Sequence, residues 1–130
     1  MAKTTTLRSA FAHFGTSARN PRWAWSAVSP DLRTVAVTLW EDQIADDGSV
    51  NFFEHPELER WQRLPGNRDR IRNLIIARDN CGGLFRVVVV KARDIREFPR
   101  QIEDRYPDDD MIMRLVNLDE QTGEFSAVRV

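Results

Sequence analysis

The stretch from Asn20 to Asp42, NPRWAWSAVSPDLRTVAVTLWED, constrains the fold more than any other part of the chain. Val35, Val37 and Leu39 alternate with Thr34, Ala36, Thr38 and Trp40, the period of two that marks a half-buried strand. Upstream, Trp23, Trp25 and Ala27 alternate with Ala24, Ser26 and Val28. Ser29-Pro30-Asp31-Leu32 between them has turn chemistry: proline pre-sets φ, and aspartate bonds its own backbone. Pairing Ser29 with Thr34 sets Trp23 opposite Trp40 and Trp25 opposite Thr38 on one face. It gathers Ala24, Ser26, Val28, Val35, Val37 and Leu39 on the other, and a one-residue slip would mix the two sets. The expectation is a hairpin with an aliphatic core face and a face of three tryptophans.

The rest of the chain adds elements of both kinds. Leu7, Phe11 and Phe14 recur at helical spacing behind the N-cap candidates Thr4, Thr5 and Thr6, with Gly15 suited to the position after the helix. Val50, Phe52 and Phe53 read as a short strand, and residues 57–64 as a helical turn carrying Trp61. Asn67 is an N-cap for a helix from Arg68 to about Asn80, with Ile71, Leu74, Ile75 and Arg78 on one face and Arg68, Arg70 and Arg72 on others. Gly82-Gly83 stops it. Leu84 to Ala92, LFRVVVVKA, is the strongest strand in the sequence. Ile95, Phe98, Ile102 and Tyr106 stripe a second helix over Asp94 to Tyr106. Met111 to Leu118 and Phe125 to Val130 form a terminal hairpin. This order predicts one α+β domain over residues 1–130. Its expected core is a strongly bent or closed antiparallel β-barrel of five to six strands flanked by about three helices.

Charge is blocked along the chain although the net is −1. Residues 1–40 carry +4, residues 41–59 carry −7, residues 60–105 carry +6 and residues 106–130 carry −4. Such blocks fit a basic face beside an acidic one, or a solvated mixed surface. No apolar run approaches the ~20 residues that span a bilayer, and no leader precedes the first helix, so a cytoplasmic location without membrane contact is expected. The single Cys81 leaves no internal disulfide. His13 and His55 have no partner at catalytic or ligand spacing, so no catalytic residue, metal or cofactor is expected.

The aromatics carry the chemistry that remains. A buried tryptophan is more often core than platform, but Trp23, Trp25 and Trp40 stand beside Arg19, Asn20, Arg22, Ser26 and Asp42. Stacking surfaces, a few directed polar groups and nearby positive charge are what an extruded nucleotide requires.

The pattern Phe14-Gly15, Asn20-Pro21-Arg22-Trp23-Ala24-Trp25-Ser26-Ala27 and Leu39-Trp40-Glu41-Asp42 resembles the PUA-like superfamily. The likeness is to the PUA-like modules found with HNH nucleases in modification-dependent restriction enzymes, and to the EVE and YTH branches. The resemblance implies a non-catalytic domain that recognises a modified, flipped nucleobase of DNA or RNA in an aromatic pocket. Trp23, Trp25 and Trp40 would be walls, Asn20 and Ser26 would contact the base edge or backbone, and Asp42 would read the base. Arg19, Arg22, Arg68 and Arg72 would hold the nucleic-acid backbone. Two histidines cannot supply an HNH site, so any cleavage would come from a separate nuclease or other protein partner. The alternative is a small protein- or metabolite-binding domain on a PUA-like fold with the tryptophans in its core.

Overall fold

Two valine-rich strands fix the centre of the sheet. The computed structural model describes residues 6–20, 24–53, 58–97 and 100–130. In chain order the elements are α1 (Leu7–His13), β1 (Ser26–Val28), β2 (Val35–Trp40), a 3₁₀ turn (Glu41–Gln43), β3 (Val50–Asn51), α2 (Leu58–Trp61), α3 (Pro65–Asn80), β4 (Leu84–Ala92), β5 (Ile102–Leu118) and β6 (Phe125–Arg129). The strands form one sheet in the order β1-β2-β4-β5-β6-β3.

Alternation along β2 and β4 sorts the core onto the two faces. Val35, Val37 and Leu39 join Val87 and Val89 against Leu74 and Ala77 of α3, with Phe85, Met113 and Phe125 in the same cluster. Ala36 and Val88 point the other way, to Ala10 and Phe11 of α1 and to Ala24 and Ala27. β4 is thus covered on both sides, which accounts for its unbroken apolar run. Thr6 caps α1 by accepting a hydrogen bond from the amide of Ser9 at 3.1 Å.

The hairpin register is the expected one, with Ser26 opposite Val37, Ala27 opposite Ala36 and Val28 opposite Val35. In the turn, the amide of Ser29 donates to the carbonyl of Thr34, and Asp31 accepts from Ser29 Oγ and the amide of Arg33.

Three expectations change. The sheet is mixed, because β2 and β4 run parallel, Val37 beside Val87 and Leu39 beside Val89. The intervening α2 and α3 supply the crossover that parallel neighbours require. The sheet is also open, because no described pairing joins its end strands β1 and β3. Finally, the helix expected over Asp94 to Tyr106 is absent: Asp94 to Glu97 form a turn, and β5 begins at Ile102 and pairs along β4 from Ala92 to Leu84. The helical stripe gave way to pairing with a β-branched neighbour, and its members Ile95, Ile102 and Tyr106 are exposed. Pro107 is tolerated inside β5 because β6 pairs only from Met113 onward, which leaves Pro107 a free strand edge.

The helix of residues 68–80 starts earlier than expected, at Pro65, with Leu64 as N-cap and Asn67 inside its first turn. Thr4, Thr5, His55, Pro56, Phe98 and Pro99 lie outside the described residues. Among the described residues, no helix is long and apolar enough to cross a membrane.

Candidate functional site

α3 buries an unusually polar face. Asn67, Asp69, Arg70 and Asn73 are all buried, alongside the expected Ile71 and Leu74 and with Ala77, whereas Ile75, expected on that face, is half-buried and Arg78 is exposed. Asp69 and Asn73 are one turn apart and therefore share a ridge. That ridge meets the start of β1: Asn73 Nδ2 donates to the buried Ser26 Oγ at 2.8 Å.

Arg70, expected on an outer face, is instead enclosed by aromatic rings. Its guanidinium carbon lies 4.9 Å from the ring centroid of Trp25, 5.6 Å from that of Trp61 and 5.0 Å from that of Phe125. Arg70 Nη2 donates to Asn67 Oδ1 at 3.1 Å, its Nε has no acceptor, and no carboxylate among the described residues pairs with it. Burial alone pulls this guanidinium down to about 9, still well above neutrality, so the group is a cation at pH 7. A flat, weakly hydrated guanidinium tolerates such enclosure better than an ammonium would. Asn67 is anchored in turn, since its Nδ2 donates to the carbonyls of Gln62 and Thr122, both at 2.8 Å.

Asp69 is the second buried charge. Its side chain is 2% exposed, and Oδ1 lies 3.1 Å from Arg72 Nη2 and 3.5 Å from Arg19 Nε. Oδ2 is buried and has no hydrogen-bond partner among the described residues. The two arginines that touch Asp69 are themselves exposed at 55% and 67%.

The site residues expected from sequence fall into two groups. Arg19, Trp25, Ser26 and Arg72 gather around α3. Trp40 and Asp42 gather elsewhere, on Arg100: its guanidinium lies 5.0 Å from the Trp40 ring and donates to both carboxylate oxygens of Asp42 at 2.8 Å. The expected single tryptophan face is therefore divided. Trp25 sits in a bend just before β1 rather than in the strand, so its ring leaves the alternation and reaches α3. Trp40 keeps the phase of Ala36, away from α3. Asp42, expected to read a base, has both oxygens engaged by Arg100. Arg68 is exposed and donates to the carbonyl of Gln121 at 2.7 Å. Asn20 is half-buried. Arg22 and Trp23 lie outside the described residues.

Asp69, Arg70, Asn73, Trp61 and Arg100 escaped the sequence reading. A signal for Arg70 and Asn73 is present, since with Asn67 they recur at steps of three inside a helix whose apolar face is otherwise thin, but Asp69 falls outside that spacing. Nothing in the local sequence points from Arg100 back to Asp42. Among the described residues, no group of three or more histidine, cysteine, aspartate or glutamate side chains is placed to hold a metal ion.

No family model, no curated protein and no solved structure matches this chain.

Proposed function

We propose that this chain is a non-catalytic, PUA-like nucleic-acid-binding domain that recognises a modified, flipped base of DNA or RNA, with the recognition site where the start of β1 meets α3. Its support is the meeting at one place of the half-buried Trp25, the buried Ser26–Asn73 and Asp69 groups, and the exposed Arg19 and Arg72. Trp25 supplies a stacking wall, and the polar row supplies directed hydrogen bonds. The arginines lie where a phosphate backbone would run. Asp42 has no part in this site, and Trp40 belongs with it to a separate staple. A separate nuclease would supply any cleavage.

The test is a binding titration at low and moderate salt, read by tryptophan quenching, with short DNA and RNA oligomers carrying plain or modified cytosine and adenine. Preference for one modified base is expected, and Trp25→Ala should abolish it, since stacking on one indole is worth ~1–3 kcal/mol. A folded Trp25→Ala variant that still discriminates removes Trp25 from the site.

A second reading, a small protein- or metabolite-binding domain with the tryptophans in its core, is favoured by one observation. Each of Trp25, Trp40 and Trp61 already has an arginine of this chain against its ring. In that case iodide or acrylamide should quench these tryptophans poorly, and no oligomer should bind at low salt.

A further inference from the structure

We infer that Asp69 is the specificity-determining residue of this site and that the ligand it selects is a nucleobase presenting an exocyclic amine with at least one N–H. This rests on the nucleic-acid reading above. A carboxylate has only acceptor capacity. Here one oxygen, Oδ1, is occupied by Arg19 and Arg72, while Oδ2 is buried with no hydrogen-bond partner among the described residues. Leaving such an acceptor unmatched is unfavourable, and a ligand N–H placed on it recovers that loss on binding. Asp69 shares its helix ridge with Asn73, and Asn73 is hydrogen-bonded to Ser26, the neighbour of Trp25. A ring stacked on Trp25 therefore has its edge toward this ridge. The side chains on Oδ1, those of Arg19 and Arg72, are exposed.

An amine edge, as in cytosine or adenine, offers the donor. Uracil and thymine offer only a ring N–H flanked by two carbonyl oxygens, which a carboxylate repels. Methylating an amine once leaves one N–H, and methylating it twice leaves none.

The experiment uses the whole chain and short single-stranded oligomers in three series. One series carries cytosine, N4-methylcytosine or N4,N4-dimethylcytosine at the central position. A second carries adenine with the same N6 substitutions, and a third carries uracil or thymine. The cytosine and adenine arms identify which base class is read. In that arm, the dimethylated base is expected to bind roughly ten- to a hundredfold more weakly than the monomethylated one, the range for one hydrogen bond to a charged group. Asp69→Asn should erase the difference while retaining salt-dependent binding; circular dichroism checks its fold, and the dimethyl series on the unmutated chain needs no variant at all. Salt-dependent binding with equal affinity for mono- and dimethylated bases, or for uracil, overturns the assignment to Asp69 and leaves the nucleic-acid reading standing. Absence of binding to every oligomer overturns both.

Discussion

Gly123 sits at φ +87, and a methyl group placed on it would lie 2.2 Å from Oδ1 of Asn67. Among the described residues that oxygen is the one hydrogen-bond acceptor of Arg70, and the amide of the same side chain ties α3 to Gln62 and Thr122. Gly123→Ala should therefore cost about 2–4 kcal/mol, combining a left-handed backbone with a broken buried hydrogen-bond network. Gly82 is the control: its φ is +64 but nothing lies within 4 Å of an added methyl, so Gly82→Ala should cost only ~1 kcal/mol. Urea midpoints at constant slope decide the matter, and equal losses would show that Asn67 is not held as described. Arg70 allows a sharper comparison. Arg70→Met removes a buried cation that has no carboxylate partner and keeps most of the volume between Trp25, Trp61 and Phe125. It should stay within ~1 kcal/mol of the parent, whereas Arg70→Lys, with a compact ammonium unable to stack, should lose at least ~2 kcal/mol. These positions also show where the sequence stops being informative. The spacing of Ile71 and Leu74 places α3 against the sheet and the steps of three group Asn67, Arg70 and Asn73, but neither pattern says that this polar row and Asp69 are buried. Their burial depends on partners from Ser26, Trp25 and Thr122, all distant in sequence.

At the scale of elements, local pattern was reliable where neighbours agreed with it and failed where they did not. Helix α1, the β1–β2 register and β4 follow from periodicity, caps and turn residues. β5 does not, because its pairing with β4 is non-local and the sequence spacing Ile95, Phe98, Ile102, Tyr106 that runs into it mimics a helix. The same strand carries Pro107 and Asp108 to Asp110 along the edge that β6 leaves unpaired, a composition that discourages pairing with another chain. The loop between β5 and β6 depends on Asp119, which accepts from the amides of Gln121 and Thr122. Those amides hold its carboxyl below the ordinary carboxylate range. A carboxylate lowered in the folded state contributes fully above its ordinary value, and that contribution disappears as pH falls through the lowered one. Protection of the Gln121 and Thr122 amides, taken relative to intrinsic exchange at each pH, should fall on acidification below about pH 4, and Asp119→Ala should keep it low at every pH; an unchanged acid profile in that variant would exclude Asp119 as the cause. The Trp40–Arg100–Asp42 staple fastens the β4–β5 connection to the end of β2. Its groups are 21% and 28% exposed, so a double-mutant cycle with Arg100→Met and Asp42→Asn should return a coupling near 1 kcal/mol. Zero coupling would mean that the geometry is not populated in solution.

Across the whole molecule, the net charge of −1 gives no reason to expect affinity for a polyanion, so any such affinity must come from how charge is distributed. The basic block of residues 60–105 folds so that Arg68 and Arg72 project from α3, with Arg19 brought beside Arg72 by their shared contact with Asp69. Asp42 of the acidic block is drawn to Arg100 and away from that rim. The sequence showed the charge blocks and the tryptophans, but not this sorting, because it depends on α3 crossing one face of a mixed sheet and not on the hairpin alone. Under the proposed function, three arginines at the rim predict a slope of log K against log salt of about −2 for single-stranded oligomers. Arg72→Ala should flatten the slope by nearly one and weaken plain and modified oligomers equally, the mark of a phosphate contact. Arg96, 86% exposed on the β4–β5 connection and facing Asp94, is the matched control, and Arg96→Ala should leave both slope and affinity unchanged. If Arg96→Ala and Arg72→Ala flatten the slope alike, binding is diffuse attraction to the surface and the α3 rim is not its seat. If only Arg72→Ala does so, the backbone runs over the ridge that carries Asp69.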